Sequence, residues 1–509
     1  MRAALAVALL LPSAALAQGL PPHAYLPLEH WAVPFLEHLI DRSVVRDPTP
    51  MVRPWTVSAV VRALEETDTM RLTGPERATA RRIRGSLTAP EREVLATAFA
   101  ELGGRAATHG RRIGLALREA GPGSVTAQGG FSLGLQFGPG VLFMHPRLEN
   151  HLDNDPDFAA VDQPLEGRFP EAYGGVRTKY LDLDYGVIQR NWGPPGFPGL
   201  LLSDGPLGYD HFFLDVGPRM ARVSMVVAQL DALPNNSDTL SQRYFIGHRL
   251  RVRPWRALDL AVWQGTLLAG PNRPLDLWYL TPVKLTFETR DQRRQSANVW
   301  IGGDGELRLG RWRLAGSLTL DDIQVFKSGR PADEEPPSLA VTATVARPVG
   351  PVRVWLGYTL VSNLMYRPIE RTESPYDGVN LARGRVGTGL ARNFSDYDEL
   401  TLRISAIPLD GVVLMPELTL LRQGEGDFRL PSPSVADYPT TPTLFAGVRE
   451  RVWRGAMAGT IRVTSYVTVE GNAGVHRRSN AGHVPGATVT EFVGGVVVRL
   501  GVGGMWGVD

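Results

Sequence analysis

The chain has 509 residues, long enough for two domains or for one large barrel with a small companion. Its 54 basic and 52 acidic residues leave a formal net charge of +2, which excludes the concentrated basic excess of a nucleic-acid binder. The absence of cysteine excludes disulfide staples and a lipid-anchored N-terminal cysteine.

The first residues read as an export signal. Met1-Arg2 gives a positive start, residues 3–11 an apolar core too short to span a bilayer, and Ala15-Leu16-Ala17 a small-residue cleavage site, so residues 1–17 are expected to be removed and the mature chain to begin at Gln18. No later apolar run reaches the roughly 20 residues of a membrane helix, so any span must be built from strands. Residues 18–108 are predicted to form a periplasmic helical bundle. The first helix runs from Glu29 to Asp41 with Trp31, Phe35, Leu36, Leu39 and Ile40 at helical spacing, and the second opens at Thr56 with Val57, Val60, Val61 and Leu64. Pro75 and Pro90 occupy first-turn positions of two further helices, giving four in all.

From residue 109 to 509 the texture becomes strand-like, with about 18 strand candidates. The clearest is the hairpin 306–320, in which Leu307, Leu309, Trp312, Leu314, Leu318 and Leu320 fall on one face and Glu306, Arg308, Arg311, Arg313, Ser317 and Thr319 on the other. An arginine facing lipid at the midplane of a barrel costs about 2–4 kcal/mol, so this segregation suits a sheet with hydrocarbon outside and water inside. A soluble sheet with one solvated face makes the same pattern, and repetition after an export signal decides between them. The pattern recurs where Leu356 and Tyr358 oppose Arg353, Trp355 and Thr359, where Leu400, Leu402 and Ile404 oppose Thr401, Arg403 and Ser405, and where Val467, Val469 and Val475 oppose Thr468, Glu470, Asn472 and His476. Short connections near Trp255, Gly310, Gly350, Asp410 and Ser465 alternate with long polar ones at 272–296, 328–337, 367–384 and 424–443. The expected fold is therefore mainly β: a large antiparallel transmembrane barrel of about 18 strands behind a small helical bundle. One expected feature is displaced, because the chain ends Met505-Trp506-Gly507-Val508-Asp509 and not on an aromatic residue.

Several segments then point to a known family. Asn191-Trp192-Gly193-Pro194 follows a strand, and Arg249-Leu250-Arg251-Val252-Arg253-Pro254 runs into a tight turn. Trp278-Tyr279-Leu280-Thr281-Pro282 precedes Asn298 and Gly302-Gly303-Asp304, and Asp321-Asp322 closes a hairpin arm. In this order, over residues 110–500, they resemble the capsule assembly family called Wzi. The resemblance implies an outer-membrane barrel with a helical bundle at its periplasmic end and a lectin-like role in holding capsular or surface polysaccharide. A second resemblance, His30-Trp31-Ala32, Leu39-Ile40-Asp41-Arg42 and Arg53-Pro54-Trp55-Thr56, is similar to one repeat of an S-layer homology domain; such modules come in threes and only one copy is present, so a capping role is expected over wall binding.

No catalytic motif survives scrutiny: there is no nucleophile elbow, phosphate-cradling loop or His-Glu-x-x-His helix, and no cofactor or metal is expected. His30 and His38 share a helix side without a third ligand and read as interfacial. His145 and His151 flank Asp153, Asp155 and Asp157, which lack the glycine and distal glutamate of a calcium loop. Trp192, with Asn191 and the loop that follows, could stack on a sugar ring or serve as a rigid interfacial element; the two readings are even. Asp321 and Asp322 point to opposite faces of a strand, so they cannot act as a paired acid and base, and a structural ion pair is favoured. Arg290, Arg293 and Arg294 form a charged loop cluster, solvated surface by default and a site for acidic polysaccharide in the sharper reading. The candidate polysaccharide contacts are Asn191, Trp192, Trp278, Tyr279, Arg290, Arg293, Arg294, Asp321 and Asp322. The expected partners are surface polysaccharide, outer-membrane lipid and the barrel assembly machinery, with the chain a monomer. The alternative function is a porin or channel for small polar solutes.

Overall fold

The structure, a computed structural model, describes residues 19–90, 92–109, 123–151, 165–204, 208–282, 297–321, 336–368, 371–373, 376–377, 388–391, 394–430 and 432–508. Eighteen antiparallel strands close into a barrel. In chain order they are β1 (Val94–Ala107), β2 (Ser124–Phe137), β3 (Gly140–Asn150), β4 (Leu165–Arg177), β5 (Leu181–Ile188) and β6 (Tyr209–Val216). The far wall is β7 (Ala221–Pro234), β8 (Leu240–Trp255), β9 (Leu258–Gly270), β10 (Ala297–Leu309), β11 (Trp312–Asp321) and β12 (Ser338–Val349). The circuit ends with β13 (Val352–Val361), β14 (Tyr397–Leu409), β15 (Val412–Gln423), β16 (Glu450–Arg462), β17 (Val467–Ser479) and β18 (Thr488–Val508). Closure comes from β1, which pairs with β2 on one side and with β18 on the other, from Val94 opposite Val508 to Ala107 opposite Gly495.

That closure corrects two expectations. The helix expected after Pro90 does not exist, and the barrel begins at Val94 and not at residue 109. The stretch is rich in alanine and leucine, which suits a helix locally, but an unclosed barrel would leave the edges of β2 and β18 unpaired in hydrocarbon, and pairing overrides propensity. At the other terminus β18 extends to Val508 and Trp506 stands exposed on the outer face, so the terminal aromatic is present, slightly inside the end.

The alternation resolves as the hairpin predicted. Leu309, Trp312, Leu314 and Leu318 are exposed, whereas Glu306, Arg313, Ser317 and Thr319 are buried in the interior. Leu356, Leu400, Leu402, Ile404 and Val475 face outward; Arg353, Trp355, Thr401, Ser405 and His476 face inward. A continuous apolar belt of this kind is stable against hydrocarbon and not against water. All five predicted short connections lie at one end of the barrel. Gly310 and Gly350 sit there with φ near +59°, which a two-residue hairpin requires and a side chain resists. Three more short turns lie at that end, 138–139, 178–180 and 217–220, which the sequence reading did not single out.

Among the described residues, three α-helices precede the barrel: α1 (Val33–Asp41), α2 (Val57–Glu65) and α3 (Gly74–Leu87). Helix α1 begins later than predicted, with proline in its first turn. Thr73 and Glu76 form a capping box that starts α3. These helices do not stand apart as a bundle. Phe35, Leu39, Trp55, Val60 and Ile83 share one core with the barrel side chains Val141, Phe143, Tyr173, Ile407 and Val413. Arg42 Nη1 donates to the Gly350 carbonyl (2.9 Å), and the Gly411 amide donates to Thr79 Oγ1 (2.9 Å), so the helical segment is seated at the short-turn end.

Candidate functional site

Charge holds the helical segment in the lumen. Asp41 ends α1 and Asp47 follows in the next loop, and both meet arginines on the inner wall. Arg313 donates to Asp41 (2.5 Å), Asp47 (2.8 Å) and Glu306 (2.6 Å), and Arg353 pairs with the other oxygen of Asp41. Arg53 adds Asp47 (3.0 Å) and Glu37 (2.8 Å), while its guanidinium lies 3.9 Å from the Trp55 ring centre. Burial works against charge on Asp41 and Asp47, yet the neighbouring guanidiniums, Arg353 and Arg313 for Asp41 and Arg53 and Arg313 for Asp47, hold both carboxyls below the usual aspartate range. A second lock centres on Asp184, which accepts from the Tyr25 hydroxyl (2.8 Å) and pairs with Arg177 (2.5 Å) and Arg190 (3.0 Å). His38 bridges Ser405 Oγ (2.8 Å) and Glu76 (3.3 Å) and is a buried interfacial histidine. The S-layer-like residues Trp31, Arg53 and Trp55 are all buried in this junction.

Among the described residues, the predicted polysaccharide contacts do not come together. Asn191 and Trp192 form a two-residue strand against Val52–Arg53, inside the barrel. Trp192 is buried with Leu200, Leu201 and Phe245 and lines neither of the two open chambers of the lumen, so it offers no face to a sugar there; it is core because the loop after β5 folds inward and needs an apolar anchor. Asn191 braces that loop, its Oδ1 accepting from the Gly199 amide (2.6 Å) and its Nδ2 donating to the Phe197 carbonyl (3.3 Å). Trp278 and Tyr279 lie on a short 3-10 turn, Leu277–Leu280, over Ile246 and Leu268. Those side chains alternate with the lumen-facing Phe245 and Leu267, so the turn packs on the outer wall, away from the lumen. Asp321 is buried at the long-loop end of β11, where Oδ2 accepts from the Tyr366 amide (3.1 Å) and fixes a turn. Arg290, Arg293, Arg294 and Asp322 lie outside the described residues, as do Asp153, Asp155 and Asp157.

The motif segments meet as structure. Arg249 donates to both oxygens of Asp304 (2.7 and 3.2 Å), and Arg253 pairs with Asp259 (2.7 Å), tying the 249–254 and 302–304 stretches across β8, β9 and β10.

What remains open is the half of the lumen that the inward loop does not fill. An outer chamber of about 590 Å³ runs along β14–β18 and β1. Its charged lining is balanced, four arginines (Arg105, Arg403, Arg454, Arg499) against four glutamates (Glu29, Glu399, Glu417, Glu470), with Arg403 paired to Glu417 (2.6 Å), Arg454 to the same Glu417, and Arg499 to Glu470 (2.5 Å). Phe197, Phe394 and Tyr397 add aromatic faces, and Asn472 and Thr460 neutral polar groups. Aromatic faces beside hydrogen-bonding groups of both signs suit a polyhydroxylated ligand. An inner chamber of about 100 Å³ lies between the helical segment and the wall formed by β16–β18 and β1–β4, and Glu29, Glu470 and Arg499 line both chambers. The alternation placed Arg403, Glu470, Asn472 and His476 in the lumen, but only the path of the loop after β5 decides which lumenal side chains stay accessible. Among the described residues no group of three or more His, Asp or Glu is placed to hold a metal ion.

No protein-family model matches the chain, and no curated protein matches it in sequence. Among solved structures it is similar to Wzi, an outer membrane protein involved in group 1 capsule assembly in Escherichia coli and a carbohydrate-binding β-barrel, with TM-score 0.59 and 13% identity over 93% of this chain and 97% of that one. It is also similar to OccK5 (OpdH) of Pseudomonas aeruginosa, with TM-score 0.46 and 10% identity over 81% of this chain and 98% of that one. The outer membrane protein OpdK of the same organism matches with TM-score 0.44 and 13% identity over 81% and 99%. At these identities the likeness is one of fold, that of an outer-membrane β-barrel.

Proposed function

We propose that this protein binds and anchors surface or capsular polysaccharide at the outer membrane, as a Wzi-like assembly factor and not as an enzyme, with its helical segment on the periplasmic side. The observation that carries the reading is the outer chamber, where aromatic faces stand beside paired arginines and glutamates along one open wall. Neutralised guanidinium–carboxylate pairs offer donors and acceptors without a net charge to repel an acidic or neutral polymer, and an aromatic ring supplies the apolar face that a pyranose prefers. The overall likeness to a carbohydrate-binding barrel supports it. Lipid and the barrel assembly machinery are the partners this location requires, and the chain acts as a monomer. Deletion in the native bacterium is expected to release cell-bound polysaccharide into the medium, and an array of the organism's own surface polymers should retain the detergent-folded protein. Unchanged retention of polymer in the deletion strain, with no array binding, overturns the reading.

A channel for small polar solutes is the second reading. It is favoured by one observation, that Glu29, Glu470 and Arg499 line both chambers and so join them into one path from the long-loop half toward the short-turn end. Planar-bilayer conductance separates the two readings.

A further inference from the structure

We infer that the inner chamber is a second binding site, distinct from the polymer-facing outer chamber, that takes a single donor-rich sugar ring. Its volume, about 100 Å³, is several times the roughly 10–15 Å³ that one water needs and suits one ring, not a chain. Trp31 from the helical segment, Phe99 from β1 and Phe143 from β3 make its apolar side. Glu101, Glu171 and Arg147 make its polar side.

Glu171 carries the argument. Its side chain lines the chamber, the residue is 4% exposed, and its buried Oε2 has no hydrogen-bond donor. The nearby cation is already committed, since Arg147 pairs with Glu29 (2.9 Å), Glu101 (3.5 Å) and Glu149 (3.7 Å). A buried carboxylate oxygen left without a donor costs free energy, whereas a hydroxyl or ammonium delivered by a ligand removes that cost. A pyranose or hexosamine brings both such donors and an apolar ring face of the kind the three aromatic side chains accept. Entry runs through the neck that the chambers share. Glu29, on the helical segment, narrows it, and the Glu29 side chain is 46% exposed although it stands inside the barrel. The site therefore admits one ring at a time and excludes the polymer.

The inference is independent of polymer anchoring, because its readout is binding of free monosaccharide to the full-length protein in detergent. Saturation-transfer NMR with D-glucose, D-galactose and D-glucosamine is the test; a D-glucosamine signal alone identifies ammonium as the donor, and signals from the neutral sugars identify hydroxyls. At least one sugar is expected to show transfer to its ring protons. Glu171→Leu is expected to weaken that binding roughly fivefold or more, the scale of a lost hydrogen bond to a buried acceptor. Ser132→Leu, which places bulk in the chamber from β2 without touching a charge, is expected to abolish it. Heat-modifiable migration on gels reports that each variant is folded. No transfer from any of the three sugars, or transfer undiminished in a folded form of either variant, overturns the inference.

Discussion

At the scale of single residues, the interior is governed by arginines that serve several acids at once. Arg313 pairs with Asp41, Asp47 and Glu306, so Arg313→Ala takes one cation from each of three buried carboxylates where the helical segment meets the wall, leaving them Arg353, Arg53 and Arg308. Removing one partner of a buried ion pair costs about 3–5 kcal/mol. The variant is expected to expose residues 33–53 to limited proteolysis while the strands stay protected, and equal protection of both parts would refute the assignment. Acid should act at the same place. Asp41 and Asp47 have lowered folded-state values, so their stabilisation is present above the unfolded aspartate pKa of about 3.9 and is lost as pH falls below it. His30 is held neutral, pushed down to about 3 by burial and then by Arg462 and Arg499, whereas an unfolded histidine takes its proton near pH 6.5. Its contribution is therefore complete above about pH 6.5 and declines as pH falls toward 3. Proteolytic release of the segment is expected to begin below neutrality in the parent, and His30→Asn should move that onset to more acid pH.

At the scale of elements, the two faces of each strand answer to different solvents. Leu318 points to lipid and Thr319, one residue on, is fully buried in the lumen. Leu318→Arg near mid-strand is expected to lower the folding free energy in phospholipid vesicles by about 2–4 kcal/mol. Turns at the short end impose a second rule. At Gly411 φ is +70°, and an added Cβ would stand 2.8 Å from the Arg462 carbonyl, so Gly411→Val should cost at least the ~1–2 kcal/mol of left-handed backbone. Urea titration in vesicles measures both, and a Gly411→Val midpoint equal to the parent would remove the turn argument.

At the scale of the whole molecule, function depends on what fills the barrel and what it leaves open. The helical segment occupies the short-turn end, the loop after β5 occupies one side, and the remaining space runs past Glu29. If the path conducts, Glu29→Ala should raise single-channel conductance in planar bilayers above the parent; silence in both removes the channel reading and leaves binding.

Fold class was legible in the residues themselves. Period-two segregation of leucine from arginine, repeated along the chain between short and long connections, follows from the pleat alone, because neighbouring side chains of a strand must enter different solvents. The helices α2 and α3 were equally local, opened by Thr56 and by Pro75. Three things were decided only in tertiary space: β1 became a strand because closure demands a partner for β18, Trp192 became core because its loop turns inward, and the open chambers are the volume no segment fills. Each is a property of segments far apart in the chain, and periodicity within a segment carries no information about which distant segment will cover it.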